Sequence, residues 1–250
     1  NGSPYVLIMP CVFVDFLSSA EDPNLKFQYA NLLKFVRLVA FFITLLLPGL
    51  YVAITNFHQE IIPTELLFAI VASRESVPFP IIVEILAMEI SFELIREASL
   101  RVPSPIGTTI GIIGALILGQ AAVEASIVSP ILIIIVAITG ITSFAIPDFY
   151  LSFHLRIVRF LYIIAGFLAG FLGIGIVLFS HLVLLCSLKS FGVSYLAPFV
   201  PATSKNNKAY FMPPFWNREK RPDFLNTKRP QKEARISMKW KYKIGGNNGN

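Results

Sequence analysis

Residues 160–188 read FLYIIAGFLAGFLGIGIVLFSHLVLLCSL, a run without a single Asp, Glu, Lys or Arg. A helix rising about 1.5 Å per residue needs about 20 apolar residues to cross a bilayer, so this run predicts a transmembrane helix that ends at Lys189. Three more stretches pass the same test: 38–57, behind Lys34 and Arg37, then 102–123, and then 125–147. Pro48 interrupts the first and Pro130 the third, which predicts kinks of the kind membranes tolerate where neighbours satisfy the freed carbonyl.

Composition agrees with these spans. Of 250 residues, 55% are hydrophobic and 14% charged, with a mean hydropathy of +0.68, whereas soluble domains carry about 25% charged residues. A wholly soluble chain is excluded. The net charge of +6 is local, because residues 189–250 hold 13 Lys/Arg against 3 Asp/Glu while the rest is net negative. That distribution argues against nucleic acid as a partner and for a basic flank at the membrane surface. Cys11 and Cys186 stand far apart, with no CxxC and no His/Cys cluster, so neither a disulfide framework nor a zinc site is expected.

Between the first two spans lies a more polar region. IIPTELLFAIVAS (61–73) is short for a crossing; RESVPFP (74–80) follows, and then a helical stretch over 81–100 carrying Glu84, Glu89, Glu93, Arg96 and Glu97. At about 100° per residue, Glu89, Glu93, Arg96 and Glu97 share one face. That face reads as the solvated side of an interfacial helix, with Glu93 pairing Arg96. Glu84 falls on the apolar side among Ile81, Met88 and Ile95. A carboxylate there costs about 2.5–3.5 kcal/mol on insertion scales, so it is expected to be paired, protonated or facing an aqueous path. The region 61–100 either crosses twice or forms a re-entrant or amphipathic pair.

The expected fold is therefore an all-α membrane protein: four long transmembrane helices, a short re-entrant or amphipathic helical pair, and a disordered basic C-terminal tail. Lys26, Lys34 and Arg37 on one side and the basic tail on the other place both termini in the cytoplasm, with Arg156 and Arg159 in a loop on the opposite side, a mild violation of the positive-inside rule. His154 falls in the same loop. Residues 1–30 are expected to be the end of an N-terminally truncated soluble domain and its linker, with Tyr5 to Val14 as that domain's last strand; 31–200 form the transmembrane domain and 201–250 the tail.

Motifs for catalysis are absent: no GxxxxGK[ST], HExxH or GxSxG occurs, and Gly173-Ile174-Gly175 lacks the third glycine and the setting of a dinucleotide site. An enzyme is not expected, nor any cofactor or metal. His181, beside Ser180 in the last span, reads as a packed neutral imidazole, with a proton-relay or interhelical hydrogen-bonding role as the second reading. The positive signal is a glycine pattern. Gly107, Gly111, Ala115 and Gly119 recur every four residues down the second span, and Gly166 and Gly170 repeat the spacing in the fourth, as in closely packed helices. Opposite that stripe lie Thr109, Ile113, Leu116, Gln120 and Val123, followed by Glu124. Copies of this helix around an axis would form a pore with Ile113 and Leu116 as an apolar constriction, polar rings at Thr109 and Gln120, and an acidic ring at Glu124 that favours cations. Glu84, Glu89 and Glu93 are candidate intramembrane acids beside that path.

Four separated motifs carry a family resemblance: ASRESVPFP (72–80), MEISFELIREASLRVPSPIG (88–107), GQAAVEASIVSP (119–130) and LKSFGVSYLAP (188–198), with GSPYVLIMP (2–10) ahead of them. They closely resemble the A subunit of the spore germinant receptors, the GerA family of endospore-forming bacteria; a paralogous sporulation-stage protein shares these motifs. The resemblance implies a multi-pass protein of the spore inner membrane that assembles with further copies of itself, with a transporter-like B subunit and with a lipoprotein C subunit. It also implies that nutrient sensed by the B subunit opens a cation channel formed by the A subunit. A secondary transporter, with broken helices at Pro48, Pro63 and Pro130 and an ion at Glu84, is the alternative from a different class. A non-conducting scaffold is the third.

Overall fold

The computed structural model describes residues 9–101, 114, 117–201 and 211–212, with 99–101 given by backbone alone. Two compact units emerge, one from Leu38–His181 and the other from Asn1–Arg37 with Leu182–Asn250. The elements are overwhelmingly helical: α1 Phe13–Phe16, α2 Phe27–Phe57, α3 Thr64–Arg74 and α4 Ile81–Arg101, then α5, helical over 117–124, α6 Pro130–Phe144 and α7 Phe149–Ser187.

In the Leu38–His181 unit, α2 continues through Pro48, which has no N–H to donate to the carbonyl of Thr44 four residues back. The Thr44 side chain ties this turn to α6, its hydroxyl donating to that of Thr142 at 3.0 Å. The core joins Tyr51 and Val52 of α2, Ile81, Ile85 and Met88 of α4, Ala122 of α5, Val128, Leu132 and Val136 at and beyond the start of α6, and Ile163 of α7. On α4 and α6 these are apolar residues spaced three or four apart, as ridge packing requires. At 11 residues, α3 is about 16 Å long and cannot cross a bilayer by itself.

Among the described residues, two helices are long and apolar enough to cross a membrane, α2 and α7. Three sequence expectations need correction here. The stretch 125–147 is not one interrupted span. Residues 125–129 form a turn with Ser126 at φ 54, and Pro130 opens the 15-residue α6, at the first helical position where its missing N–H costs nothing. Arg156, Arg159 and His154 do not sit in a loop. They belong to α7, whose first turn is capped by Asp148 Oδ1 accepting from the Leu151 N–H at 2.7 Å.

The third correction concerns 160–188 itself. Inside α7, Ala169 (φ −140, ψ 17) and Gly170 (φ 58, ψ −138) break the helical path, and the chain turns back. Tyr162 Oη and His181 Nδ1 lie 3.4 Å apart, whereas a straight helix would separate those residues by about 28 Å. The 39 residues therefore make two antiparallel arms, 149–168 and 171–187, about 30 and 25 Å long. Gly170 enables the turn because a positive φ is open to glycine without a Cβ clash. A side chain there would also strike His58, whose ring packs on Phe171 with centroids 4.3 Å apart. The first arm touches α2 through two glycines: a Cβ on Gly49 would lie 2.7 Å from the Tyr162 carbonyl oxygen, and one on Gly166 would lie 2.5 Å from that of Gly49.

In the other unit, LKSFGVSYLAP folds as a tight hairpin, Lys189–Ser190 pairing antiparallel with Val193–Ser194. Its two-residue turn has Phe191 at φ 49 and Gly192 at φ 83, the type I′ signature. Tyr195 then accepts the Phe13 N–H at 2.8 Å and packs against Phe13 and Phe16. The expected strand over Tyr5 to Val14 is absent from its described part, since Phe13–Phe16 is a helical turn; residues 5–8 lie outside the described residues. Asp22 accepts from Arg37 Nη1 at 2.6 Å, and Asn31 exchanges two hydrogen bonds with the backbone of Met212 at 2.6 and 3.1 Å. Apart from 211–212, the expected basic tail from 202 onward lies outside the described residues.

Candidate functional site: the charged face of α4

Helix α4 alternates apolar residues with Glu84, Glu89, Glu93 and Arg96, and all four reach protein partners. Glu84 is fully buried; it accepts from Arg74 Nη2 at 2.9 Å and from the backbone N–H of Ser129 at 3.2 Å. Pairing is thus the answer to the cost of its burial. Five residues on, Glu89 Oε2 meets Arg159 Nη2 at 2.5 Å, the two side chains being 1% and 3% exposed. Glu93 Oε1 accepts from Arg156 Nη1 at 2.5 Å, and its Oε2 lies 4.0 Å from Arg159 Nη2. Arg96 donates to the Gly140 carbonyl at 3.2 Å and stands over the Phe144 ring at 4.3 Å, a cation–π contact.

The solvated-face expectation for Glu89 and Glu93 is therefore overturned. The helical spacing holds, but the face turns to α7, where Arg156 and Arg159, three residues apart, match the four-residue spacing of Glu89 and Glu93. A signal existed: two arginines at helical spacing inside an apolar run require acidic partners if they are buried. The network is not saturated. Glu89 Oε1 and Oε2 and Arg159 Nε have no hydrogen-bond partner among the described residues, so Glu89 and Arg159 meet as an ion pair and not through a hydrogen bond.

The segment that follows α4 carries the proposed pore residues. Thr109, Ile113 and Leu116, and the stripe positions Gly107, Gly111 and Ala115, lie outside the described residues. Gln120 and Glu124 are exposed on α5 and Val123 is half-buried, while Gly119 is buried with room for a Cβ 3.7 Å from Ile133. A Cβ on Gly114, off the expected stripe, would lie 3.5 Å from Ile95 of α4. The segment returns to Ser129, whose N–H binds Glu84, so one hydrogen bond closes the excursion from α4 through α5.

A mostly helical chain in which, among the described residues, two helices are long and apolar enough to cross a membrane and the charges of α4 are paired internally fits a class built around lipid-compatible packing. The chain belongs to the GerA family: residues 1–224 match the family model described as Bacillus/Clostridium GerA spore germination protein. It is 48% identical over 227 residues to Spore germination protein KA of Bacillus subtilis (strain 168), covering 90% of this chain and 42% of that one. Spore germination protein GerLA of Bacillus cereus is 42% identical over 230 residues, 91% of this chain and 46% of that protein. The Uncharacterized membrane protein YfkQ of Bacillus subtilis (strain 168) is 41% identical over 239 residues, 94% and 46%. The chain thus spans less than half the length of these relatives. No solved structure matches it.

Proposed function

We propose that this chain acts in spore germination as a membrane subunit of a nutrient germinant receptor, a non-enzymatic role in which segment 102–124 lines a cation path. Family membership supports the germination role. The observation that carries the conducting role is the pinning of α4: Glu84, Glu89 and Glu93 hold it to α3, α6 and α7 at the base of the glycine-rich segment. Gln120 and Glu124, exposed on α5, then face a partner copy or water. Further copies of the chain, a transporter-like subunit and a lipoprotein subunit complete the assembly in the spore inner membrane, with both termini on the core side.

The test is rubidium efflux from proteoliposomes containing the whole receptor, comparing wild type with Leu116→Ala and Glu124→Gln. Faster flux on shortening Leu116 and weaker cation preference on neutralising Glu124 are expected, because apolar constrictions gate by dewetting and acidic rings select cations. Wild-type flux in both variants removes segment 102–124 from the path. A receptor that never conducts, even with nutrient, leaves the scaffold role.

A further inference from the structure

The fold-back of α7 brings together two histidines that the sequence separates widely. His154 on the first arm and His181 on the second have ring centroids 5.9 Å apart at an interplanar angle of 68°. We propose that His154 and His181 form a two-histidine site for a divalent transition-metal ion that staples the two arms of the hairpin, oriented by Tyr162. An ion about 2.0–2.1 Å from each coordinating nitrogen lies about 3.2 Å from each ring centre; bond angles from tetrahedral to linear then put the centres about 5.2–6.4 Å apart. The observed spacing falls inside that range.

The surroundings fit the same chemistry. His181 Nδ1 lies 3.4 Å from the hydroxyl of Tyr162, which is completely buried. That contact engages Nδ1 and leaves Nε2 as the coordinating nitrogen, the arrangement by which an outer partner fixes the tautomer of a ligating imidazole. His154 is exposed, so protein atoms do not close off the outer side of the pair. Arg156, two residues on, projects to the other side of the helix onto Glu93, so its charge is not aimed at the pair. Imidazole ligands favour zinc, copper and nickel over magnesium or calcium.

The experiment is calorimetric titration of the whole purified protein in detergent with Zn²⁺, Cu²⁺ and, as control, Mg²⁺, alongside Cu²⁺ electron paramagnetic resonance. Saturable binding of Zn²⁺ and Cu²⁺ but not Mg²⁺, two-nitrogen hyperfine structure, and an upward shift in thermal unfolding are expected. Both His154→Ala and His181→Ala should abolish the saturable phase, and Tyr162→Phe should weaken it about tenfold with unchanged stoichiometry. Circular dichroism establishes that each variant is folded, and His154→Asn, at the exposed position, serves if His181→Ala is not. Binding that survives removal of either histidine, that follows Cys186→Ser instead, or that is matched by Mg²⁺ overturns the proposal.

Discussion

Glu89 and Arg159 meet at 2.5 Å with both side chains almost wholly removed from solvent, and this contact ties α4 to the first arm of α7. Removing one partner of such a pair leaves an uncompensated buried charge, which costs about 3–5 kcal/mol, whereas replacing both by apolar side chains of similar volume is neutral or favourable by about 1–4 kcal/mol. Arg159→Met alone should therefore lower the unfolding temperature markedly, and Glu89→Met with Arg159→Met should restore it. A double-mutant cycle on purified protein in detergent reads the coupling. Additive losses would show that the pair does not hold these helices.

The glycine contacts between α2 and α7 make a sharp comparison. A Cβ on Gly166 would sit 2.5 Å from the Gly49 carbonyl oxygen, against which backbone must yield, while one on Gly175 meets nothing within 4 Å. Gly166→Ala should destabilise by about 1–3 kcal/mol, the usual cost of overpacking. Gly175→Ala, in the second arm, should instead gain about 0.5–1 kcal/mol from helix propensity. Unfolding temperatures of the two variants check the contrast in sign.

Helix existence was largely legible, and direction was not. The bounds of α3 and α4 follow the sequence closely because Pro63 and Pro80 precede their first turns and the apolar runs between punctuation are short. The run 160–188 misled because a hydropathy sum is blind to a turn made by one residue: Gly170 is apolar by any scale and leaves no polar gap. Its neighbours Gly166 and Gly173 were the readable sign, since small residues on both sides of a break let two arms touch. Arg156 and Arg159 read as a loop in the sequence because their acidic partners lie on α4, a pairing that local spacing does not encode. Glu84 was legible only as a cost requiring a partner; that Arg74 and the Ser129 N–H supply it is tertiary information.

Outside the long helices, Asp22 offers a pH-dependent contact. Burial pushes its carboxyl up, but the hydrogen bond from Arg37, the Ser19 N–H and the charges of Arg37 and Lys34 outweigh that and hold it below its ordinary 3.8. A carboxylate depressed in the folded state stabilises above its unfolded value and loses that contribution as pH falls through the folded one. Hydrogen-exchange protection of residues 18–25, corrected for intrinsic rates, should hold steady from neutrality to about pH 4 and fall only below 3.8. Asp22→Asn should lower protection at neutral pH and flatten this dependence. A loss of protection centred near pH 6 would assign the effect to another group.

The doubled-back course of α7 can be measured directly. Ile157 and Phe179 are 55% and 70% exposed, so each accepts a spin label with little disturbance. A straight helix would place the two positions about 33 Å apart, while arms reversing at Ala169 and Gly170 bring them within about 20 Å. Pulsed electron resonance in lipid nanodiscs separates these values. Gly170→Val should shift part of the population to the longer distance, because a β-branched residue resists the positive φ of the turn and its Cβ would press on His58. A single distribution near 33 Å in the wild type would restore one long crossing helix and at the same time pull His154 and His181 apart.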